Sequence, residues 1–127
     1  MSNTSLNYTV IVMGPAYGTQ SSYCAYQFCH SLLSRSKHKL TSIFFYADGI
    51  YNANSLTNPA NDEFDLVNAW QRLAKEYQVK LSVCIAAAQR RGVEDNGQMN
   101  NVATQFELVG LGELSESISQ SERVIQF

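Results

Sequence analysis

Leu81-Ser82-Val83-Cys84-Ile85-Ala86-Ala87-Ala88-Gln89-Arg90-Arg91-Gly92 is the stretch on which the reading of this chain turns. Residues 81–85 form a short apolar run of the kind buried in a parallel strand. Small residues, two arginines and a glycine follow, so Cys84 falls where a strand gives way to a loop. In open α/β sheets, ligands and reactive groups collect just outside the carboxyl ends of the strands. A thiol attacks as thiolate; nearby guanidinium groups, or the N–H groups of a following helical turn, favour that form, and burial opposes it. Cys84 is therefore a candidate nucleophile, with three alanines leaving room for another molecule to approach. The competing reading is a cysteine that only packs, because free cysteine is among the most buried residue types.

Working outward from that strand, the chain alternates strand and helix patterns. Upstream, Asn61 or Asp62 can cap a helix running through about residue 77. Glu63 and Asp65 lie in its first turn, and Phe64, Val67, Trp70 and Leu73 or Ala74 form its apolar stripe. Residues 47–61 are a long irregular segment rich in Asn, with Asp48-Gly49 and Asn58-Pro59; loops of that length in a compact domain are often functional. Its Tyr51, together with Tyr46 just ahead of it, puts aromatics where they favour a protein interface. Residues 40–46 read as a strand, and 21–35 as a helix with Ala25, Phe28, Cys29, Leu32 and Leu33 on one face. The β-branched run 8–13 is a further buried strand that stops at Gly14-Pro15.

Downstream, residues 93–104 are polar and turn-like, 105–109 a strand, 113–121 a short helix and 122–127 a last strand. Five strands alternating with helices imply right-handed crossovers. The expected fold is a three-layer α/β/α sandwich with a mostly parallel five-stranded sheet. Residues 1–127 are expected to form one domain, with 1–7 as a flexible polar tail.

Composition narrows the function classes. A formal charge of −2, from 9 basic and 11 acidic residues, argues against a chain that grips nucleic acid by itself. The first residues show neither a basic segment nor a long apolar one, and no apolar run approaches a membrane span. Three cysteines cannot all pair within one chain, so a reducing cytoplasm with free thiols is the expected setting.

Other candidate sites are weaker. Residues 14–22, between strand and helix, are placed like a phosphate loop but lack both the Walker and the G-x-G-x-x-G spacing. They keep open a second reading, a flavodoxin-like module holding a nucleotide or flavin. Cys24 and Cys29 are five apart, which puts them on different faces of a helix and supports neither a redox nor a zinc pair. His30 and His38 stand apart from any ligand set, and Asp62, Glu63 and Asp65 are accounted for by a helix start.

Taken together, a series of segments resembles the DsrE-like family of sulfur-relay proteins. They are Gly14-Pro15-Ala16-Tyr17-Gly18-Thr19-Gln20, Phe44-Phe45-Tyr46, Gly49-Ile50-Tyr51-Asn52-Ala53-Asn54, and Asp62-Glu63-Phe64-Asp65-Leu66-Val67 with Ala69-Trp70. Cys84 with its alanines and Arg90-Arg91-Gly92, Gly110-Leu111-Gly112, and Arg123-Val124-Ile125-Gln126-Phe127 complete the set. The resemblance spans residues 8–127 and departs over the polar tail and over 93–104. It implies a sulfurtransferase that carries sulfur as a persulfide on Cys84 and needs no metal or organic cofactor. It further implies TusB-like and TusC-like sister subunits in a heterohexamer, a TusA-like donor and a TusE-like acceptor. The destination would be the 2-thio group of the wobble uridine in tRNA, without direct nucleic-acid contact by this subunit. A non-catalytic subunit of such a complex is the remaining alternative.

Overall fold

A computed structural model describes residues 4–94 and 100–127. In chain order it contains β1 (Asn7–Val12), α1 (Ser21–Arg35), β2 (Lys39–Phe45), a 3₁₀ helix (Ala47–Ala53), α2 (Leu66–Tyr77) and β3 (Leu81–Cys84). Then come α3 (Ile85–Arg90), β4 (Phe106–Val109), α4 (Leu111–Ser119) and β5 (Arg123–Gln126). The strands form one sheet in the order β4-β3-β2-β1-β5, and every neighbouring pair is parallel. The sheet is thus wholly parallel, as expected from the alternation of elements.

Strand register sorts the core into two faces. Val12, Phe45 and Val83 lie side by side across β1, β2 and β3, and Val10 is level with Ile43. Alternation along a strand puts all of these on one side. Trp70 marks that side as the one under α2, because its ring meets Phe45 edge-on at 5.2 Å and Tyr26 of α1 at 5.4 Å. Right-handed crossovers that step β1 to β2 to β3 in one direction place α1 and α2 together here. The return from β4 to β5 runs the other way, so α4 covers the opposite side. There Thr9 and Ser42 are buried yet polar. The Ser42 Oγ donates to Ser117 Oγ at 3.1 Å, and the Thr9 and Ser121 hydroxyls are 2.6 Å apart. None of the side chains of α4 is itself buried.

Element ends depart from the sequence reading where a local polar contact decides them. The second long helix begins at Leu66, not Asn61 or Asp62, because the Asp65 carboxylate accepts from Asn68 N at 3.1 Å and caps it. Phe64 therefore leaves the buried stripe and stands 45% exposed. Instead its ring meets Tyr23 at 5.3 Å and Tyr26 at 5.7 Å. Part of the irregular segment 47–61 is the 3₁₀ helix, and the strand carrying Cys84 ends on Cys84 itself, with Ile85 opening α3.

Residue 7 belongs to β1, not to a loose tail. The lead-in is tied down: the Ser5 hydroxyl donates to Lys37 O. The Leu6 N–H donates to His38 Nδ1 at 3.0 Å, and that of Asn7 to Glu122 Oε2 at 2.7 Å. Residues 1–3 of the expected tail, and 95–99 of the expected turn over 93–104, lie outside the described residues.

The cap makes a direct test of the helix start. Asp65→Ala should lower stability by about 1 kcal/mol, the usual cost of a lost N-cap side chain. Asp62→Ala, which removes an exposed carboxylate outside the helix, should stay within about 0.5 kcal/mol of the parent. Urea unfolding of the two variants separates them; equal losses would move the helix start back to residue 62.

Candidate functional site

Cys84 is the last residue of β3 and the cap residue of α3, at φ −65° and ψ 119°. The chain passes from strand to helix on that residue with no intervening loop. On one side Cys84 is level with Val109 of β4. Over the strand ends lies the 3₁₀ helix, which packs against both β3 and α3. Ala87 and Ala88 of α3 are buried, Ala86 is exposed, and Cys84 is only 1% exposed. The thiol therefore sits at the carboxyl end of a strand, as the sequence pattern predicts, but under cover.

What holds the cover in place starts at Asn52. This fully buried amide donates through Nδ2 to Gly14 O at 3.1 Å, Ser22 Oγ at 3.0 Å and Gly49 O at 2.9 Å. Its Oδ1 accepts from Trp70 Nε1 at 3.0 Å. The loop after β1, the start of α1, the 3₁₀ helix and α2 are thereby joined through one side chain. Gly49 lets the 3₁₀ helix sit directly on the end of β1: a Cβ there would lie 1.9 Å from Val12 O. None of these roles is visible from composition or periodicity. A polar residue flanked by Tyr and Ala in an Asn-rich segment reads as loop.

The two arginines separate. Arg90 is exposed. Arg91 is turned to the 3₁₀ helix, its Nε donating to Asp48 Oδ1 at 2.8 Å and its Nη1 to Ala87 O at 3.2 Å. Its guanidinium is thus engaged with a carboxylate and a carbonyl.

The other cysteines behave as their spacing predicts, Cys24 exposed and Cys29 buried on α1. Burial pushes the Cys29 thiol far above the ordinary range, so it stays protonated and inert. His38 is occupied by Leu6 N–H and lies 5.5 Å from the Tyr8 ring, and His30 lies beside Tyr26. Among the described residues no group of three or more His, Cys, Asp or Glu could hold a metal ion.

The glycine-bearing loop after β1 does line a cleft of about 470 Å³, with Tyr17, Gly18, Tyr23, Glu63, Phe64 and Leu66. Among the described residues no Lys or Arg lines it, and Glu63 does. The surroundings are aromatic and acidic, poorly suited to phosphates, which need compensating positive charge. This weighs against the nucleotide-holding alternative. Tyr51, the aromatic expected at an interface, is 36% exposed on the 3₁₀ helix. No helix among the described residues is long and apolar enough to cross a membrane.

Comparison with known proteins gives the geometry a context. The profile of the DsrE/DsrF-like family matches residues 7–127. A protein named Sulfurtransferase TusD from Buchnera aphidicola subsp. Acyrthosiphon pisum (strain 5A) is 55% identical over 129 residues, covering 96% of this chain and 100% of its own. Proteins of the same name from Pectobacterium carotovorum subsp. carotovorum (strain PC1) and Photorhabdus laumondii subsp. laumondii are 54% and 50% identical. They cover 96% and 98% of this chain and 99% of their own length. Among solved structures, the ychN protein from E. coli superposes with a TM-score of 0.80 over 96% of this chain and 99% of that one, at 15% identity. That likeness shows a shared fold.

The inert thiol offers a pH test. Cys29 keeps its proton in the folded chain, while in the unfolded chain it ionises above about pH 8.5. Above that pH the unfolded state binds fewer protons than the folded one, so stability falls as pH rises. Below pH 8 the contribution is constant. Between pH 9 and 10 the parent should lose about 1 kcal/mol more per pH unit than Cys29→Ala. Denaturant titrations of both chains at several pH values measure the difference; parallel curves would show that the thiol is not sealed.

Proposed function

The chain belongs to the DsrE/DsrF-like family, and from that membership we propose that it is a sulfurtransferase whose sulfur-carrying residue is Cys84. The observation that carries the reading is its likeness, at 50–55% identity and over nearly the whole length of both chains, to proteins named Sulfurtransferase TusD. Position supports the choice of thiol. Of the three cysteines, Cys84 is the one at a strand's carboxyl end, whereas Cys24 and Cys29 lie along the body of α1.

The chemistry follows thiol–disulfide exchange. The Cys84 thiolate attacks the outer sulfur of a donor persulfide, R–S–SH. The donor's S–S bond breaks, R–S⁻ leaves, and Cys84–S–SH holds the transferred sulfur with its proton. An acceptor thiolate repeats the exchange and regenerates the Cys84 thiolate. Each step swaps one S–S bond for another, so no external oxidant or reductant enters, and the protein acts by presenting and shielding one sulfur. In this reading residues 1–127 are one sulfurtransferase domain. It works in the cytoplasm beside TusB-like and TusC-like subunits, taking sulfur from a TusA-like donor. A TusE-like acceptor passes the sulfur on toward the 2-thio group of tRNA wobble uridine. The acidic balance of the chain suits a subunit that handles protein-bound sulfur and leaves RNA to others.

Cys84→Ser should abolish transfer of labelled sulfur from a persulfide donor while keeping the parental unfolding midpoint, and mass spectrometry of the parent should place one added sulfur on Cys84. Transfer at the parental rate by Cys84→Ser, or its loss in a folded Cys24→Ser, would assign the chemistry elsewhere.

Co-expression with TusB-like and TusC-like chains is expected to yield a single complex with equal copies of each. Recovery of free, folded monomer alone would remove the assembly from the proposal.

A further inference from the structure

A thiol that exchanges sulfur must be reachable along the axis of the bond it breaks, yet Cys84 is 1% exposed. The helix that opens on it is weakly anchored by packing. Within α3 the buried side chains are Ala87 and Ala88, single methyl groups that contribute little apolar area. The turn after α3 bends back through Gly92 at φ +73°, with Val93 N–H donating to Ala88 O at 3.0 Å. Arg91 also ties α3 sideways to the cover. It holds the carbonyl of Ala87, three residues after Cys84, and at the same time Asp48 at the start of the 3₁₀ helix.

The two partners differ in exposure: the Arg91 side chain is 22% exposed and that of Asp48 57%. An ion pair with one partner in water is a modest bond that another charged surface can replace. Asn52, by contrast, fixes the 3₁₀ helix to α1 and α2 through wholly buried contacts to Ser22 and Trp70. The movable part of this junction is therefore α3, and the releasable contact is the ion pair.

We propose that Arg91 is a positioning residue for Cys84. Paired with Asp48, it holds α3 against the 3₁₀ helix and keeps the thiol covered, and a docking protein partner that competes for either charge uncovers it. This rests on the reading of Cys84 as the sulfur carrier.

The test is the rate of alkylation of Cys84 in the folded, full-length chain, resolved by peptide mass mapping, with Cys29 as an internal control. Arg91→Ala and Asp48→Asn should each raise the Cys84 rate about two- to fivefold, the factor expected for loss of a pair of this exposure. The double variant should gain no more than Arg91→Ala alone, because the ion pair is already absent from that variant. Arg91→Lys should fall between the parent and Arg91→Ala, since it keeps the charge and loses the fork. Added salt should speed labelling of the parent and leave Arg91→Ala unchanged. In all variants Cys29 should label at the parental rate.

An unchanged Cys84 rate in Asp48→Asn overturns the proposal, and so does a parallel rise at Cys29, which would mean general loosening. Asp48→Asn changes an exposed carboxylate and keeps the test open if Arg91→Ala does not fold. The outcome is independent of sulfur transfer. Unchanged labelling alongside loss of transfer in Cys84→Ser removes the latch and leaves the transfer reading standing. Retained transfer in Cys84→Ser removes the transfer reading, and with it the latch's role in sulfur chemistry.

Discussion

The Asn52 carboxamide is the contact on which the rest of this structure depends. Two amide hydrogens are shared among Gly14 O, Ser22 Oγ and Gly49 O, and the amide oxygen takes the indole N–H of Trp70. Every one of these groups would cost free energy if buried without a partner, on the order of 1–3 kcal/mol each. Satisfied together, they bind four segments far apart in sequence. That is why the 3₁₀ helix can lie flat across the strand ends, with Gly49 against Val12 O, and why the strand-to-helix turn at Cys84 has a fixed ceiling.

The two faces of the sheet are built from different materials. On the α1/α2 side, Phe45, Trp70, Phe106 and Tyr26 form a chain of ring contacts, and aromatic pairs add roughly 0.5–1.5 kcal/mol each beyond the area they bury. On the α4 side, Thr9, Ser42, Ser117 and Ser121 meet through hydroxyls. Hydrogen bonds of that kind contribute about 1 kcal/mol each and leave little apolar area removed from water. Leu111, Ile118 and Val124 remain 40–48% exposed on that side. By the same alternation Cys84, next to Val83, falls on the α4 side of the sheet at the end of β3.

Much of the architecture was legible because β-branched runs and 3.6-residue periodicity alternate cleanly: 8–13 and 81–85, expected as strands, fall within one residue of the observed ends, and 21–35 matches α1. Strand order was not legible, since periodicity reports which face is buried and not which strand is adjacent. The start of α2 was missed because Asp62 and Asp65 are equally plausible caps by type. Only the geometry shows that Asp65 reaches Asn68 N–H while Glu63 turns back to Ala60 N–H. At the site, the placement of Cys84 could be read from the apolar run that ends on it. The roles of Asn52, Asp48 and Arg91 could not, because each acts across more than fifteen residues of sequence on a partner that no local pattern names.

The strand order also sets a timetable for folding. β1 lies inside the finished sheet, yet the strand that completes its far edge is β5, with Tyr8 level with Arg123. Their pairing closes a very long loop, and contacts of such separation form late and slow the folding of a domain. Until then Tyr8-Thr9-Val10-Ile11 presents an unpaired, β-branched edge, the kind of surface that recruits strands from other chains. During synthesis that edge stays open until residues 123–126 have left the ribosome, so a strand interior to the mature sheet is an exposed edge of the nascent chain.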